Sequence, residues 1–193
     1  MNQFDIIAIG ASAGGLKALS EVLSGIPSDL PVPILIVQHL DPRHKSLMAE
    51  ILQRHCKMKV KEAVHDETIQ QSTVYIAPPN KHMLVSDGRI ALTSSAFVHF
   101  TRPSIDLLFE SVAADFQDKA IGIILTGTGK DGSMGIKAIK EKGGTTIAQD
   151  KTTSEHFGMP QSAIATGAVD FILPVQDILS AIIALVRGEQ EVR

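Results

Sequence analysis

Cysteine occurs once, at Cys56. No intrachain disulfide can form, and a reducing compartment is expected. Positive charge is not in excess, since 18 Lys and Arg stand against 21 Asp and Glu for a net charge of −3. That removes any general argument for nucleic acid or an anionic membrane surface as a partner. No basic region precedes the first apolar run, so the N-terminus does not read as a signal peptide. The last apolar run, Ile178 to Val186, is far too short to span a membrane. The cytoplasm is therefore the expected location, without direct membrane insertion. Nowhere do Cys and His take zinc spacing, so no metal is expected. Repeats, low-complexity segments and internal linkers are also missing. The 193 residues fit one domain over 1–193, with 44% hydrophobic content. At this size roughly 70% of the unfolded surface can be buried without a covalent staple.

What is present begins with a strand, a glycine turn and a helix. Ile6, Ile7, Ala8 and Ile9 form a continuous apolar run, as in a parallel strand covered on both faces. Leu16, Leu19, Val22 and Leu23 then recur at helical spacing. Between them stands Gly10-Ala11-Ser12-Ala13-Gly14, a literal G-x-S-x-G. Such an elbow holds a serine hydroxyl above the strand end. The N–H groups opening the helix, at Ala13 and Gly14, would meet an oxyanion beside Ser12. The same stretch also fits a phosphate or dinucleotide loop, although its spacing is G-x-x-x-G-G and the next strand ends Val37-Gln38-His39 without the expected acid. Ser12 could also be only a helix N-cap.

Further runs alternate strand with helix. Pro33 to His39 reads as a buried strand, followed by a helix from Lys45 to His55 with Leu47, Met48, Ile51 and Leu52 inward. Lys57 to Val64 reads as a half-exposed strand and Thr73 to Ala77 as another. Met83 to Leu92 predicts a hairpin turning at Asp87-Gly88. Pro103 is expected to open a helix, Ile121 to Leu125 is a clear buried strand, and a helix should run to about Lys142. Thr145 to Ala148 and Val169 to Leu173 are short strands, Pro160 should start a short helix, and Asp177 should cap the last one. The pattern predicts an α/β fold: a single doubly wound, mostly parallel sheet with helices on both faces and a small antiparallel hairpin.

In such sheets ligands bind beyond the carboxyl ends of the strands, where strand order reverses. Ser12, His39 and Asp131 all lie just past strand ends. Together they could perform acyl transfer, with Ser12 as nucleophile, His39 as base and Asp131 orienting the imidazole. A base must be neutral, so the rate should fall on the acid side. His82 also follows a strand end and could line the crevice. His44, His55, His65, His99 and His156 read as surface residues. From Arg43 to Lys61, six Lys and Arg (Arg43, Lys45, Arg54, Lys57, Lys59, Lys61) face Glu50 alone. That segment could steer an acidic partner toward Ser12, or be only a solvated face.

The chain resembles the catalytic domain of CheB-type chemotaxis protein-glutamate methylesterases. The resemblance rests on Ile9 to Gly15, Gln38-His39, Tyr75 to Pro78 with Lys81 to Met83, Arg102 to Asp106, Leu125 to Gly132, Ala148-Gln149 and Phe157 to Pro160. It implies a triad at Ser12, His39 and Asp131, hydrolysis of glutamyl methyl esters on chemoreceptor helices, deamidation of receptor glutamines, an acyl-enzyme and no cofactor. The partner would be a methyl-accepting chemoreceptor or another methylated signalling protein, not a nucleic acid. The resemblance departs at Ala13, where Thr is usual, at Thr128, where Met is usual, and at Thr101, where His is common. These positions are expected to border the reacting centre and to affect rate and substrate preference. The family's chemotaxis member carries an N-terminal receiver domain, and none is expected within 1–193. A catalytically weak binding module and a nucleotide-binding domain are the alternatives.

Overall fold

Seven parallel strands carry the fold, in the spatial order β3-β4-β2-β1-β7-β8-β9. They are β1 (Ile6–Ala11), β2 (Ile34–Gln38), β3 (Lys59–Glu62), β4 (Thr73–Ile76), β7 (Ala120–Ile124), β8 (Thr145–Gln149) and β9 (Phe171–Leu173). A separate antiparallel hairpin pairs β5 (His82–Ser86) with β6 (Arg89–Thr93). The helices are α1 (Gly15–Ser24), α2 (Met48–Gln53), α3 (Ile105–Phe116), α4 (Ser133–Glu141), α5 (Gly158–Ala165) and α6 (Val175–Arg187). The computed structural model describes residues 3–39, 46–98 and 101–188.

The continuous apolar runs become the central strands because both faces are covered. In β1, Ile7 and Ile9 point to a core shared with Leu19, Val22 and Leu23 of α1 and Ile178 and Ile182 of α6. Ile6 and Ala8 point to the opposite core, with Leu108 and Phe109 of α3 and Ile136 and Ile139 of α4. The same alternation divides Ile34 and Ile36 from Leu35 and Val37 in β2. Each such fully buried aliphatic side chain contributes roughly 1.5–3 kcal/mol. The expected doubly wound α/β sheet with helices on both faces and a small hairpin is thus the observed one, and its main sheet is wholly parallel.

Strand order runs outward from β1 in both directions, so the reversal lies between β1 and β7. Register then fixes which strand ends meet. Ala11 of β1 pairs with Gln38 of β2, and Gly10 pairs with Ile124 of β7. The residues after these strands share one rim.

Several local boundaries differ from expectation. α1 begins behind Gly14, which is left-handed at φ 76, so Ser12 is not its N-cap. α3 is capped by Ser104, whose hydroxyl accepts from the Leu107 N–H; Pro103 precedes it and has no group that could do so. α6 starts at Val175 after Pro174, and Asp177 sits within its first turn rather than at the cap. Pro160 is the third residue of α5, not its first. α2 is observed over Met48–Gln53, with Met48 and Leu52 buried and Leu47 exposed; Lys45 lies outside the described residues. The hairpin turns as expected, with positive φ at Asp87 and Gly88 and both N–H groups received by Asp115 on α3. No helix among the described residues is long and apolar enough to cross a membrane.

Candidate active site

Ser12, His39 and Asp131 border one pocket of about 540 Å³ at the rim where strand order reverses. Backbone pairing brings the first two together. The His39 N–H donates to the Ala11 carbonyl at 3.1 Å, and the Ser12 N–H donates to the Thr126 carbonyl at 3.0 Å. Gln38 joins them further, since its Nε2 donates to the Ser12 carbonyl at 2.7 Å and to the His39 carbonyl at 3.0 Å. Gly127 is required beside them, because a Cβ there would lie 2.8 Å from the Ser12 Cβ.

Asp131 is buried and accepts from several donors at once. His39 Nε2 lies 2.8 Å from its Oδ2. The Ile105 and Asp106 N–H groups reach it at 2.7 and 3.0 Å, the Ser104 hydroxyl at 3.0 Å and the Thr101 hydroxyl at 3.2 Å. The carboxylate thus sits on the N-terminus of α3, where unpaired N–H groups and the helix dipole favour an anion. Burial pushes its pKa upward, but the hydrogen bonds from His39, Ile105 and Asp106 and the charge of His39 outweigh that and hold it below the usual value. With Nε2–H given to the carboxylate, Nδ1 is the ring nitrogen of His39 left to accept a proton.

Ser12 contrasts with this. Among the described residues its hydroxyl makes no hydrogen bond, and neither do the N–H groups of Ala13 and Gly14. The elbow backbone is nevertheless held. The Gly15 N–H donates to the Ser12 carbonyl at 2.8 Å, and the Thr126 hydroxyl lies 3.0 Å from the Ala13 carbonyl. Thr126 is tied in turn to Gln149, whose Oε1 accepts its N–H at 2.8 Å.

Of the other expected site residues, Thr101 and Thr128 border the pocket. Gly14 lines a separate hollow of about 270 Å³ with Lys17 and Glu155. His82 does not line the crevice. It is fully buried, its Nδ1 accepts from the Ser104 N–H at 3.1 Å, and its Nε2 faces the Ala96 carbonyl at 3.0 Å. It braces the cap of α3 from behind. His55, His65 and His156 are exposed as expected, while His44 and His99 lie outside the described residues. Arg43 and Lys45 of the basic segment lie outside them too. Lys61 is paired with Glu67, and Lys59 lies on β3, the edge strand separated from β1 by β4 and β2. The described part of that segment is therefore less concentrated at the pocket than the sequence suggests.

Sequence reasoning assigned no role to Gln38, Ser104, Thr126 or Gln149. Two of them carried a signal. Gln38 closes an otherwise apolar buried strand and Gln149 closes the mostly buried β8, and a buried amide must find partners.

A hydroxyl, an imidazole and a seated carboxylate thus share one pocket, in a chain that is similar to known proteins over nearly its whole length. The CheB methylesterase family model matches residues 7–182. This chain belongs to the CheB methylesterase family. A putative protein-glutamate methylesterase/protein-glutamine glutaminase of Leptospira interrogans is 41% identical over 191 residues, which is 98% of this chain and 99% of that protein. A protein-glutamate methylesterase/protein-glutamine glutaminase of Clostridium acetobutylicum is 40% identical over 188 residues, covering 97% of this chain but 54% of that protein. The crystal structure of the Thermotoga maritima CheB methylesterase catalytic domain superposes with a TM-score of 0.91 at 37% identity, over 95% of this chain and 99% of that one.

Proposed function

We propose that this chain is a serine hydrolase that removes methyl groups from glutamyl esters of a methyl-accepting chemoreceptor or related signalling protein, and deamidates glutamine at the same site. The observation that carries the reading is the 2.8 Å bond from His39 Nε2 to Asp131, in a pocket shared with the unpartnered Ser12 hydroxyl. The names of the Leptospira and Clostridium relatives support the same pair of reactions.

Ser12 Oγ attacks the ester carbonyl carbon while His39 Nδ1 takes its proton. The carbonyl electrons move onto oxygen, and the Ala13 N–H next to the nucleophile, unbonded among the described residues, is the donor assigned to the negative charge. Asp131 stabilises the imidazolium and keeps Nδ1 turned to the pocket. Collapse of the intermediate breaks the bond to the leaving oxygen, which takes the proton from His39 and departs as methanol. A water molecule then repeats the cycle on the acyl-enzyme, releasing the glutamate and restoring Ser12. With a glutamine substrate the leaving group is ammonia.

The test is methanol release from a methylated chemoreceptor by wild type and Ser12→Ala. Release by the wild type alone is expected. Equal release by both would overturn Ser12 as nucleophile, and release by neither would overturn the esterase reading.

A further inference from the structure

We propose that Lys130 selects substrates in which the scissile glutamyl ester has an acidic neighbour; this rests on the esterase reading above. Lys130 borders the pocket beside Ser12, His39 and Asp131. It is exposed, and among the described residues its ammonium has no ion pair and no hydrogen bond. Asp131 does not occupy it, since that carboxylate is already met by His39, two backbone N–H groups and two hydroxyls.

The backbone at Lys130 is held although its side-chain head makes no bond among the described residues. Its carbonyl accepts the Ser133 N–H at 3.2 Å, and the Ser162 hydroxyl lies 3.2 Å from the carbonyl of the preceding Gly129. The following residue is the seated Asp131. A flexible cation thus swings from a fixed point at the pocket wall. A neutral ester or amide offers it no charge to bind. Its partner must be a carboxylate elsewhere on the substrate, within the reach of one lysine side chain from the reacting carbon. On a helical substrate, residues three or four positions from the ester share its face and meet that requirement.

The experiment uses two helical peptides, each with one glutamyl methyl ester. One carries Glu one turn before and after the ester, the other Gln. Wild type should show a kcat/KM roughly three- to tenfold higher on the Glu-flanked peptide at low salt, as a partly exposed ion pair allows. The ratio should shrink toward one as salt rises. Lys130→Met should bring it near one at low salt, and Lys130→Glu should invert it. Equal wild-type rates on both peptides, or a preference that survives in Lys130→Met, overturns the proposal while leaving the esterase reading intact. Release from neither peptide by wild type overturns both.

Discussion

Asp131 and Ser12 stand at two walls of the same pocket, yet the fold treats them oppositely. The carboxylate is buried and met by several donors; the hydroxyl has no partner among the described residues. Under the proposed function the difference follows from what each group is asked to do. An anion taken out of water is costly unless hydrogen bonds replace its hydration, and the N-terminus of α3 supplies them. A nucleophile must instead keep its oxygen open to substrate, so its position is set through the backbone on either side. The stability of the site lies with Asp131, and its reactivity is assigned to Ser12.

Ser12→Ala breaks this comparison most sharply. Methanol release should fall by roughly 10³–10⁶-fold. The melting temperature should hardly move, because the Ser12 hydroxyl makes no hydrogen bond among the described residues. A large loss of stability would show that the serine is structural.

Asp131→Asn should lose both quantities. Activity should drop by about 10⁴-fold. Stability should fall by about 1–3 kcal/mol, since the amide turns donors toward donors. The pH dependence sharpens the point. A carboxyl whose pKa is lower in the folded state adds stability that is complete above its unfolded value and is lost as pH falls through the folded one. Asp131 is such a group, below its ordinary 3.8. The difference in melting temperature between wild type and Asp131→Asn should therefore narrow as pH drops below about 4. A gap that stays constant from pH 7 to pH 3 would contradict the lowered pKa.

Gln38→Met tests whether the two walls are coupled. It removes the amide that ties the Ser12 and His39 carbonyls while nearly keeping volume. A roughly ten- to hundredfold fall in kcat is expected, with a smaller change in KM. An unchanged kcat would mean that strand pairing alone aligns the groups. The smallest effect on chemistry is expected from His82→Phe. It strands the Ser104 N–H and the Ala96 carbonyl, so stability should fall by about 1–3 kcal/mol. KM should stay near wild type, because the ring does not reach the pocket. A raised KM with unchanged stability would return His82 to the substrate.

His39 and His82 illustrate where reading a sequence stops. His39 closes one buried strand and His82 lies a few residues past another, so along the chain both could face a crevice. One borders the pocket, and the other is sealed behind the cap of α3 because the hairpin packs against that helix. Ser104 is similar. The Arg102 to Asp106 stretch belongs to the resemblance, but its task is visible only when Asp131 is seen on its N–H groups. Lys59 and Lys61 looked like part of one basic cluster until β3 took the far edge of the sheet.

The chain's own pattern determined which segments become buried strands, which faces their residues show and where glycine permits the turns. These are local matters of apolar periodicity and backbone freedom. It also placed a hydroxyl, an imidazole and a carboxylate just past strand ends. Which ends became neighbours was decided only by tertiary structure, through β1 pairing with both β2 and β7 and through α3 offering its free N–H groups to Asp131. Those contacts join residues 25 to 114 positions apart, so their energy depends on the whole sheet closing and no short window of sequence contains it.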